Sequence, residues 1–233
     1  MSTPPLVAVI DSGWNRALSH RRVLPGASFV PDVDGLVLGT DDDHDRHGHG
    51  TACARLVLRQ SASARVLPVR IFDTTLVAGT DQLIRALWYA KERGVSIISL
   101  SLSCEPREDA DDIVRLCKLL VDQGIIIVAA KQNHCSVGFP ADLPFVIAAS
   151  ALAERSCSHD GGSSADEMLV EVAYESSTDD PFQREGRLSN SFSTAAVAGA
   201  IARLFEERGP IPAEVLMLTE RAYLSEAYKR CLV

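Results

Sequence analysis

The sequence VSIISLSLSCEPREDADDIVRLCKLLVDQGIIIVAA, residues 95–130, holds the order of elements that decides the fold. Its two apolar runs, Val95 to Leu102 and Ile125 to Ala130, have the composition of strands that are buried on both faces. Between them, Asp111 to Gln123 carries apolar residues at helical spacing and is followed by Gly124, a residue type that commonly ends helices. This stretch therefore predicts a strand, a helix and a second strand.

The same alternation continues on both sides of this stretch. A second helix is predicted over Asp81 to Arg93, with Thr80 as its N-cap and Gly94 at its end. Further strands are predicted at three apolar runs, Leu6 to Ile10, Val66 to Ile71 and Phe145 to Ala149. We therefore predict an α/β fold of three layers, with a central, mostly parallel sheet flanked by helices. The length favours a single domain over residues 1–233.

The charge and hydropathy of the chain argue against two classes of partner. Among the 233 residues, 23 Lys and Arg face 31 Asp and Glu, and the formal net charge is −8. A nucleic acid is not an expected partner, because its phosphates bind clusters of Lys and Arg. No membrane is expected, since no apolar run approaches about eighteen residues and the opening MSTPPLVAVID lacks the pattern of a signal peptide. We expect a cytoplasmic protein.

The cysteines carry no pattern of a disulfide framework. They are scattered without a CxxC pair, in a chain long enough to fold without disulfides. We therefore expect reduced thiols at Cys53, Cys104, Cys117, Cys135, Cys157 and Cys231.

Three segments bring reactive residue types to the places where a parallel sheet gathers them, the carboxyl ends of strands and the starts of helices. Asp11 ends the first predicted strand. His49 stands between two glycines at the predicted start of a helix that runs to about Arg59, and Ser191 enters a helix of small residues. A carboxylate, an imidazole and a hydroxyl are the groups that acyl transfer by a triad requires.

The three segments resemble the motifs of the subtilase family of serine peptidases. VAVIDSG at 7–13 is similar to the family's Asp motif, HGT at 49–51 to its His motif HGTH, and SNSFSTAAVAG at 189–199 to its Ser motif GTSMATPHVAG. The order Asp, His, Ser along the chain is that of subtilisin. The resemblance implies a subtilisin-like fold and a catalytic triad of Asp11, His49 and Ser191.

The register of the third motif selects Ser191 rather than Ser193. The family has eight residues from its nucleophile to the Gly of VAG, and counting back from Gly199 gives Ser191. Ser189 and Asn190 then stand where the family has Gly and Thr.

Two further segments resemble substrate-binding parts of the family. Residues 97–103, IISLSLS, are similar to the VINMSLG strand that pairs with an extended substrate, which implies substrate-binding roles for Ser101, Leu102 and Ser103. Residues 128–133, VAAKQN, are similar to VAAAGN, with Gln132 where the family has Gly. This likeness implies that Asn133 donates to the oxyanion together with the Ser191 backbone N–H. The neighbouring His134 is a further candidate for the specificity pocket.

The resemblance implies a serine endopeptidase that uses no cofactor and no metal. Because the chain begins almost directly with its first strand, we expect a short, intracellular-type member without a prodomain. Such an enzyme needs a narrow specificity, and we expect limited processing of a peptide or protein precursor. Ser103 and Cys104 stand where the family often has glycines, which favours a small first residue on the acyl side. A partner or inhibitor protein stays open.

Three alternatives remain from the residues themselves. The altered glycines allow a catalytically silent subtilase fold that binds peptides. The loop from Asp41 to His49 is rich in Asp and His, which are metal ligands, and allows a metal-dependent hydrolase, although we expect its Asp run to be solvated. A cysteine nucleophile is not expected, because no Cys is predicted at a helix N-terminus beside a His.

Overall fold

The structure is a computed structural model that describes residues 3–103, 110–132, 138–151, 168–172 and 189–227. Its strands are β1 (Leu6–Asp11), β2 (Ala27–Ser28), β3 (Arg65–Arg70), β4 (Ile97–Leu100), β5 (Ile126–Ala130), β6 (Ile147–Ala151) and β7 (Leu169–Val172). Its helices are α1 (His49–Gln60), α2 (Thr80–Glu92), α3 (Ala110–Asp122), α4 (Asn190–Arg208), α5 (Ala213–Thr219) and α6 (Arg221–Ser225).

Within the described residues, the strands form one parallel sheet in the order β2-β3-β1-β4-β5-β6-β7. The predicted parallel α/β sheet is confirmed. The chain builds β2 and β3 on one side of β1 and all later strands on the other side, so the strand order changes direction next to β1. In open α/β sheets the crevice at such a point, beyond the carboxyl ends of the strands, is where ligands bind. Asp11 is the last residue of β1.

Alternate residues of β1 face two separate cores, which confirms the three layers. Val7 and Val9 lie in the core that contains the buried faces of α1 and α4. Ala8 and Ile10 lie in the core on the other side of the sheet, with the apolar stripes of α2 and α3. All four are at most 1% exposed, so this strand is buried on both faces as its uninterrupted apolar run predicts.

Helix α2 begins one residue earlier than its predicted cap allows. The N-cap is Gly79, and Thr80, predicted as the cap, is already helical. The side chain of Gln82 takes over the capping role, since its Oε1 accepts from the Gly79 N–H at 2.6 Å while its Nε2 donates to the Ile71 carbonyl. Gly94 follows the helix with a φ of 68°, as predicted for its end.

The structure differs from the predictions in two strands and in the bounds of two others. β6 runs from Ile147 to Ala151, two residues later than the predicted Phe145 to Ala149. The edge strands β2 and β7 were not predicted. β4 pairs with its neighbours only as far as Leu100, although its apolar run suggested a strand to Leu102. Residues 101–103 therefore extend beyond the sheet, on the side where Asp11 ends its own strand.

Small residues let α4 lie directly against α1. A Cβ added to Gly199 would come within 2.9 Å of both the Val57 Cα and the Gln60 Cβ. Such contacts are closer than packed carbon atoms allow, so the glycine sets the distance between the two helices. Because α1 begins at His49 and α4 begins at Asn190, this packing contributes to holding the two helix starts near each other.

The prediction that the Asp run of the loop before α1 is solvated is wrong for two residues. Asp43 is 1% exposed, accepts from the Gly26 N–H at 2.7 Å and pairs with Arg16. Asp45 is also buried. Buried carboxylates of this kind are stabilised by the hydrogen bonds they accept, which a sequence pattern does not display.

Two further observations concern the described part of the chain. Cys53 and Cys117 are both buried free thiols, as predicted for them, and the other four cysteines lie outside the described residues. None of the helices described has both the length and the apolar character needed to cross a membrane.

Candidate active site

A buried carboxylate and an imidazole meet at the carboxyl end of β1. Asp11 is completely buried, and its Oδ1 accepts from the Ser12 N–H at 2.7 Å. The Nδ1 atom of His49 lies 2.8 Å from Oδ1 and 2.9 Å from Oδ2 of the same carboxylate. The His49 side chain is 12% exposed, so the ring is fixed on one edge and open to the cleft on another. This arrangement orients the imidazole and directs its other nitrogen away from Asp11.

The close approach of α1 to β1 explains why these two side chains meet. The Gly50 N–H donates to Ser12 Oγ at 2.8 Å. A Cβ on Gly50 would lie 2.6 Å from the Gly13 carbonyl oxygen, a backbone atom that has no room to move away. Only a glycine fits after His49, and its absence of a side chain lets the first turn of α1 rest on the end of β1.

Asp45 fixes the start of α1, a role that the sequence analysis did not assign. Its carboxylate accepts from the Gly48 N–H at 2.7 Å and from the Thr51 N–H at 2.8 Å. Burial would raise the pKa of Asp45, but the hydrogen bonds from Thr51 and Gly48 outweigh it and lower the pKa. The carboxylate therefore anchors the loop on either side of His49.

The surroundings of His49 favour its protonated form. Burial alone lowers the pKa of His49, whereas its neighbours Cys53 and Asp11 raise it, and the net pKa lies above the ordinary 6.5. Of these neighbours, Asp11 makes the direct hydrogen bond and carries the charge that attracts the imidazolium. The pair is thus set up to stabilise a proton once His49 has accepted one.

Cys53 corrects the expectation that no cysteine lies beside a histidine at a helix start. It stands one turn after His49 in α1, and its Sγ is 3.9 Å from His49 Nδ1 and 3.5 Å from Ser101 Oγ. Burial raises the pKa of this thiol, and the residue has no exposed surface. A neutral, enclosed thiol neither reaches a substrate nor supplies a thiolate, so the reason against a cysteine nucleophile is burial rather than position.

Ser191 lies in the first turn of α4 and contacts the residues that extend β4. Its Oγ donates to the Ser101 carbonyl oxygen at 3.5 Å, and Ser101 Oγ donates to the Ser191 carbonyl oxygen at the same distance. The ring of the next residue, Phe192, stacks on His49 with centroids 5.4 Å apart. The structure thus joins Asp11 to His49 by hydrogen bonds and brings Ser191 beside them, but in the described residues no hydrogen bond links Ser191 to His49.

The neighbouring hydroxyl of Ser193 has a different environment. Ser193 is completely buried, and its Oγ donates to the Ser189 carbonyl within the helix's own backbone. It therefore has no access to a substrate, whereas Ser191 is partly exposed.

The side chain of Asn190 ties the start of α4 to two strands of the sheet. Its Oδ1 accepts from the Ala151 N–H at 2.8 Å, and its Nδ2 donates to the Lys131 carbonyl at 2.8 Å. The residue is 5% exposed. Asn190 therefore fixes residue 131, at the end of β5, relative to the nucleophile candidate that follows it. The sequence analysis noted Asn190 only as a departure from a motif, because its partners are distant in the chain.

The predicted substrate-binding residues fall into two groups. Ser101 bonds to Ser191, and Leu102 and Ser103 follow it in the segment that leaves the end of β4. Ser103 Oγ is 3.3 Å from Gln132 Oε1. The predicted oxyanion donor Asn133 and the predicted pocket residue His134 lie outside the described residues.

The loop from Asp41 to His49 does not assemble a metal site from its own side chains in the described structure. Asp42 pairs with Arg46 and Arg70, both cations. Among the described residues, the group with ligand atoms close enough to hold a metal ion is Asp11, His49 and Cys53, within 4.8 Å of one another. That group shares its carboxylate and its imidazole with the hydrogen-bonded pair.

Comparison with known proteins identifies a family model and relatives that match this chain. The family model described as the subtilase family matches residues 3–222. Subtilisin amylosacchariticus from Bacillus subtilis subsp. amylosacchariticus is 30% identical over 220 residues, which cover 86% of this chain and 55% of that relative. The chain thus spans about half the length of the curated relatives it matches.

Two solved structures of peptidases have the same fold. The nisin leader peptidase NisP from Lactococcus lactis superimposes with a TM-score of 0.64 at 17% identity, covering 93% of this chain and 81% of that one. The prenylagaramide maturation protease PagA superimposes with a TM-score of 0.59 at 21% identity, covering 93% and 82%. These two likenesses show the fold, and the family model, which spans almost all of the described chain, shows that the protein belongs to the subtilase family.

Proposed function

We propose that this protein is a serine endopeptidase in which Asp11, His49 and Ser191 form the catalytic triad. The observation that carries the proposal is the buried Asp11 carboxylate bound to His49 Nδ1 at 2.8 Å, next to the partly exposed Ser191 at the start of α4. Carboxylate, imidazole and hydroxyl converge at the edge of the sheet where open α/β folds bind ligands.

His49 acts as the general base. With Nδ1 held by Asp11, the Nε2 atom is the free nitrogen that removes the Ser191 proton as the oxygen attacks the scissile carbonyl. Asp11 stabilises the imidazolium that results and remains ionised. The Ser191 hydroxyl is bonded instead to the Ser101 carbonyl in this structure, and that bond of 3.5 Å is weak enough to give way to the base.

The developing oxyanion is received at the start of α4. The Ser191 backbone N–H lies in the first turn of the helix, where N–H groups have no partner within the helix and favour negative charge. By resemblance to the family, Asn133 supplies the second donor. Loss of one such donor typically costs about a hundredfold to a thousandfold in rate.

The substrate lies extended along Ser101 to Ser103. These residues continue β4 past the point where the ladder ends at Leu100, so they offer backbone groups to an added strand. Such pairing positions the scissile bond against Ser191, whose Oγ already contacts the Ser101 carbonyl.

We propose a narrow specificity, with limited processing of a peptide or protein precursor. The support is of two kinds. Polar side chains stand where the family motif has glycines, at Ser103 and Gln132, and they contact each other two residues beyond Ser101, which bonds to Ser191. The two fold neighbours are described as a leader peptidase and a maturation protease.

The test is hydrolysis of a mixed peptide library, with the cut bonds identified by mass spectrometry. The wild-type protein should cut a restricted set of bonds, should keep this activity in EDTA, and should lose it to a serine-directed inhibitor and in Ser191→Ala. Activity that EDTA abolishes would point to the metal-dependent alternative at Asp11, His49 and Cys53. An intact library together with tight peptide binding would point to the catalytically silent module.

A further inference from the structure

We propose that Gln132 fills the pocket beside Ser191, and that the enzyme therefore accepts only Gly, Ala or Ser as the residue on the acyl side of the cut bond. This inference rests on the proposed function and names the substrate class of the same site. The family motif has a glycine at the position of Gln132, so the motif assigns no role to a side chain there.

The position of Gln132 next to the nucleophile follows from two contacts. Ser191 and Ser101 exchange hydrogen bonds, which places the segment 101–103 along one side of the nucleophile. Asn190, the residue before the nucleophile, binds the carbonyl of Lys131, which places residues 131–132 along the other side. In this proposal, the substrate residue whose carbonyl carbon reaches Ser191 Oγ places its side chain between these two segments.

That space is already occupied by protein atoms. A Cβ built on Gly138, which faces the same space, would lie 2.7 Å from Gln132 Oε1 and 2.9 Å from Gln132 Cβ, and closer still to Ser103 Oγ. The segments 101–103 and 131–132 form two walls of this space. Ser103 Oγ donates to Gln132 Oε1 at 3.3 Å, so the two polar side chains close the gap between these walls. Gly138 forms the third wall, and even one methyl group added to it would collide with these two side chains.

The wall formed by Gly138 is held in place from behind. Asp142 accepts from the Gly138 N–H at 2.6 Å, and the Asp142 N–H donates to the Gly138 carbonyl at 3.0 Å. The same Asp142 carboxylate pairs with Lys131, the residue before Gln132. Both charged side chains are largely buried, with 26% of Lys131 and 12% of Asp142 exposed. Gly138 therefore cannot move to widen the pocket without breaking its hydrogen bonds to Asp142 or pulling Asp142 away from Lys131.

A large side chain on the acyl side would have to displace Gln132 and leave Ser103 without its acceptor. A small side chain needs neither change. Because one extra methylene in a fitted pocket changes discrimination by about 10-fold to 200-fold, a preference of at least about 100-fold for Ala over Phe or Leu is expected.

The experiment compares matched peptides that differ only in the acyl-side residue, Gly, Ala, Ser, Leu or Phe, in three proteins. In the wild type, kcat/KM for Ala should exceed that for Phe by at least about 100-fold. In Gln132→Gly, this ratio should fall by at least about tenfold, mainly because cleavage after Phe and Leu increases. Gln123→Gly makes the same change at an exposed position after α3 and should keep the wild-type ratio.

Three outcomes would overturn the inference. They are efficient wild-type cleavage after Phe or Leu, an unchanged ratio in Gln132→Gly, and an equal change in Gln123→Gly. If thermal unfolding shows that Gln132→Gly is not folded, Gln132→Ala provides the same comparison. It should shift the ratio of kcat/KM for Ala to that for Phe in the same direction. Labelling of Ser191 by a fluorophosphonate separates the two proposals. If Ser191 is labelled but the acyl-side preference is absent, this inference alone is wrong. If Ser191 is not labelled, the proposed function is wrong as well.

Discussion

The two halves of the candidate active site are held together in different ways. The half with Asp11 and His49 is fixed by close backbone packing, where Gly50 lies against the end of β1, and by short hydrogen bonds, which for Asp11 are 2.7 to 2.9 Å long. The half with Ser191 is fixed through side chains, namely the amide of Asn190 and the 3.5 Å contact with Ser101.

This difference separates the chemistry from the choice of substrate. Asp11 orients the ring of His49, the proposed base, before any substrate binds, as preorganised catalysis requires. The departures from the family motifs at Ser103, Gln132, Ser189 and Asn190 lie in the second half, whereas the first half has Ala52, a buried residue of α1, where the motif HGTH has its second His. We infer that substitutions in the first half change the rate for every substrate, whereas substitutions in the pocket of the second half change the rate for some substrates and not for others.

The largest expected effect comes from removing the triad. Ser191→Ala and His49→Ala should each lower kcat by about 10⁶-fold, and Asp11→Asn by about 10⁴-fold, because the three groups act as one unit. Peptide hydrolysis at saturating substrate measures these losses.

The matched control for this series is Ser193→Ala. Its hydroxyl is fully buried and bonded to the Ser189 carbonyl, so kcat should stay within about threefold of wild type. Loss of activity in Ser193→Ala with retention in Ser191→Ala would reverse the register on which the triad rests.

The second largest effect is expected at Asn190, in the half with Ser191. Asn190→Asp keeps an oxygen for the Ala151 N–H but places a second oxygen against the Lys131 carbonyl, where an amide now donates. We expect kcat to fall by about tenfold to a hundredfold with a smaller change in KM, because a lost buried hydrogen bond costs about 1 to 3 kcal/mol. A lower unfolding temperature with unchanged kcat would show that Asn190 supports the fold and does not position the nucleophile.

The pH dependence tests the first half. A base must be neutral to accept a proton, and the pKa of His49 is raised, so kcat/KM should rise by about tenfold per pH unit up to a pKa above 6.5. Asp11→Asn removes the attracting charge and should move this limb to lower pH. A limb that stays in place in Asp11→Asn would mean that another group titrates.

The contribution of the Asp11–His49 pair to stability should fall with rising pH, whereas kcat/KM should increase. Because the folded pKa of His49 lies above its unfolded value, the pair stabilises the fold fully below about pH 6.5, and this contribution is lost as the pH rises through the folded pKa. The difference in the free energy of unfolding between wild type and Asp11→Asn should therefore shrink with rising pH. Denaturant unfolding at several pH values measures it.

The smallest expected effect concerns Cys53, which lies between the two halves. Cys53→Ala removes a buried sulfur that contacts His49 and Ser101, and should lower the free energy of unfolding by about 1 kcal/mol while kcat changes less than about tenfold. Complete loss of activity in a folded Cys53→Ala protein would return the thiol to the list of catalytic candidates.

The sequence allowed the prediction of the features that depend on continuous patterns. The apolar runs of β1, β3, β5 and β6 and the stripes of α2 and α3 are long enough to show their period. β2 has only two residues, and β7 is a four-residue edge strand that contains Glu171, so neither displays such a run.

The candidate site divides in a similar way. Asp11, His49 and Ser191 were predicted because short motifs stand in a fixed order on the predicted elements. Asp45, Cys53 and the clamp of Asn190 were missed because their roles depend on contacts across the fold. The bonds from Asn190 span 39 and 59 residues, and no local pattern reports them.

The most direct test of the central claim, that the Asp11–His49 pair activates the Ser191 hydroxyl, is the rate of labelling by a fluorophosphonate, with the labelled residue identified by mass spectrometry. We predict a label on Ser191 in the wild type and a rate at least about a thousandfold lower in His49→Ala. A label on another residue, or equal labelling rates in the two proteins, would contradict it.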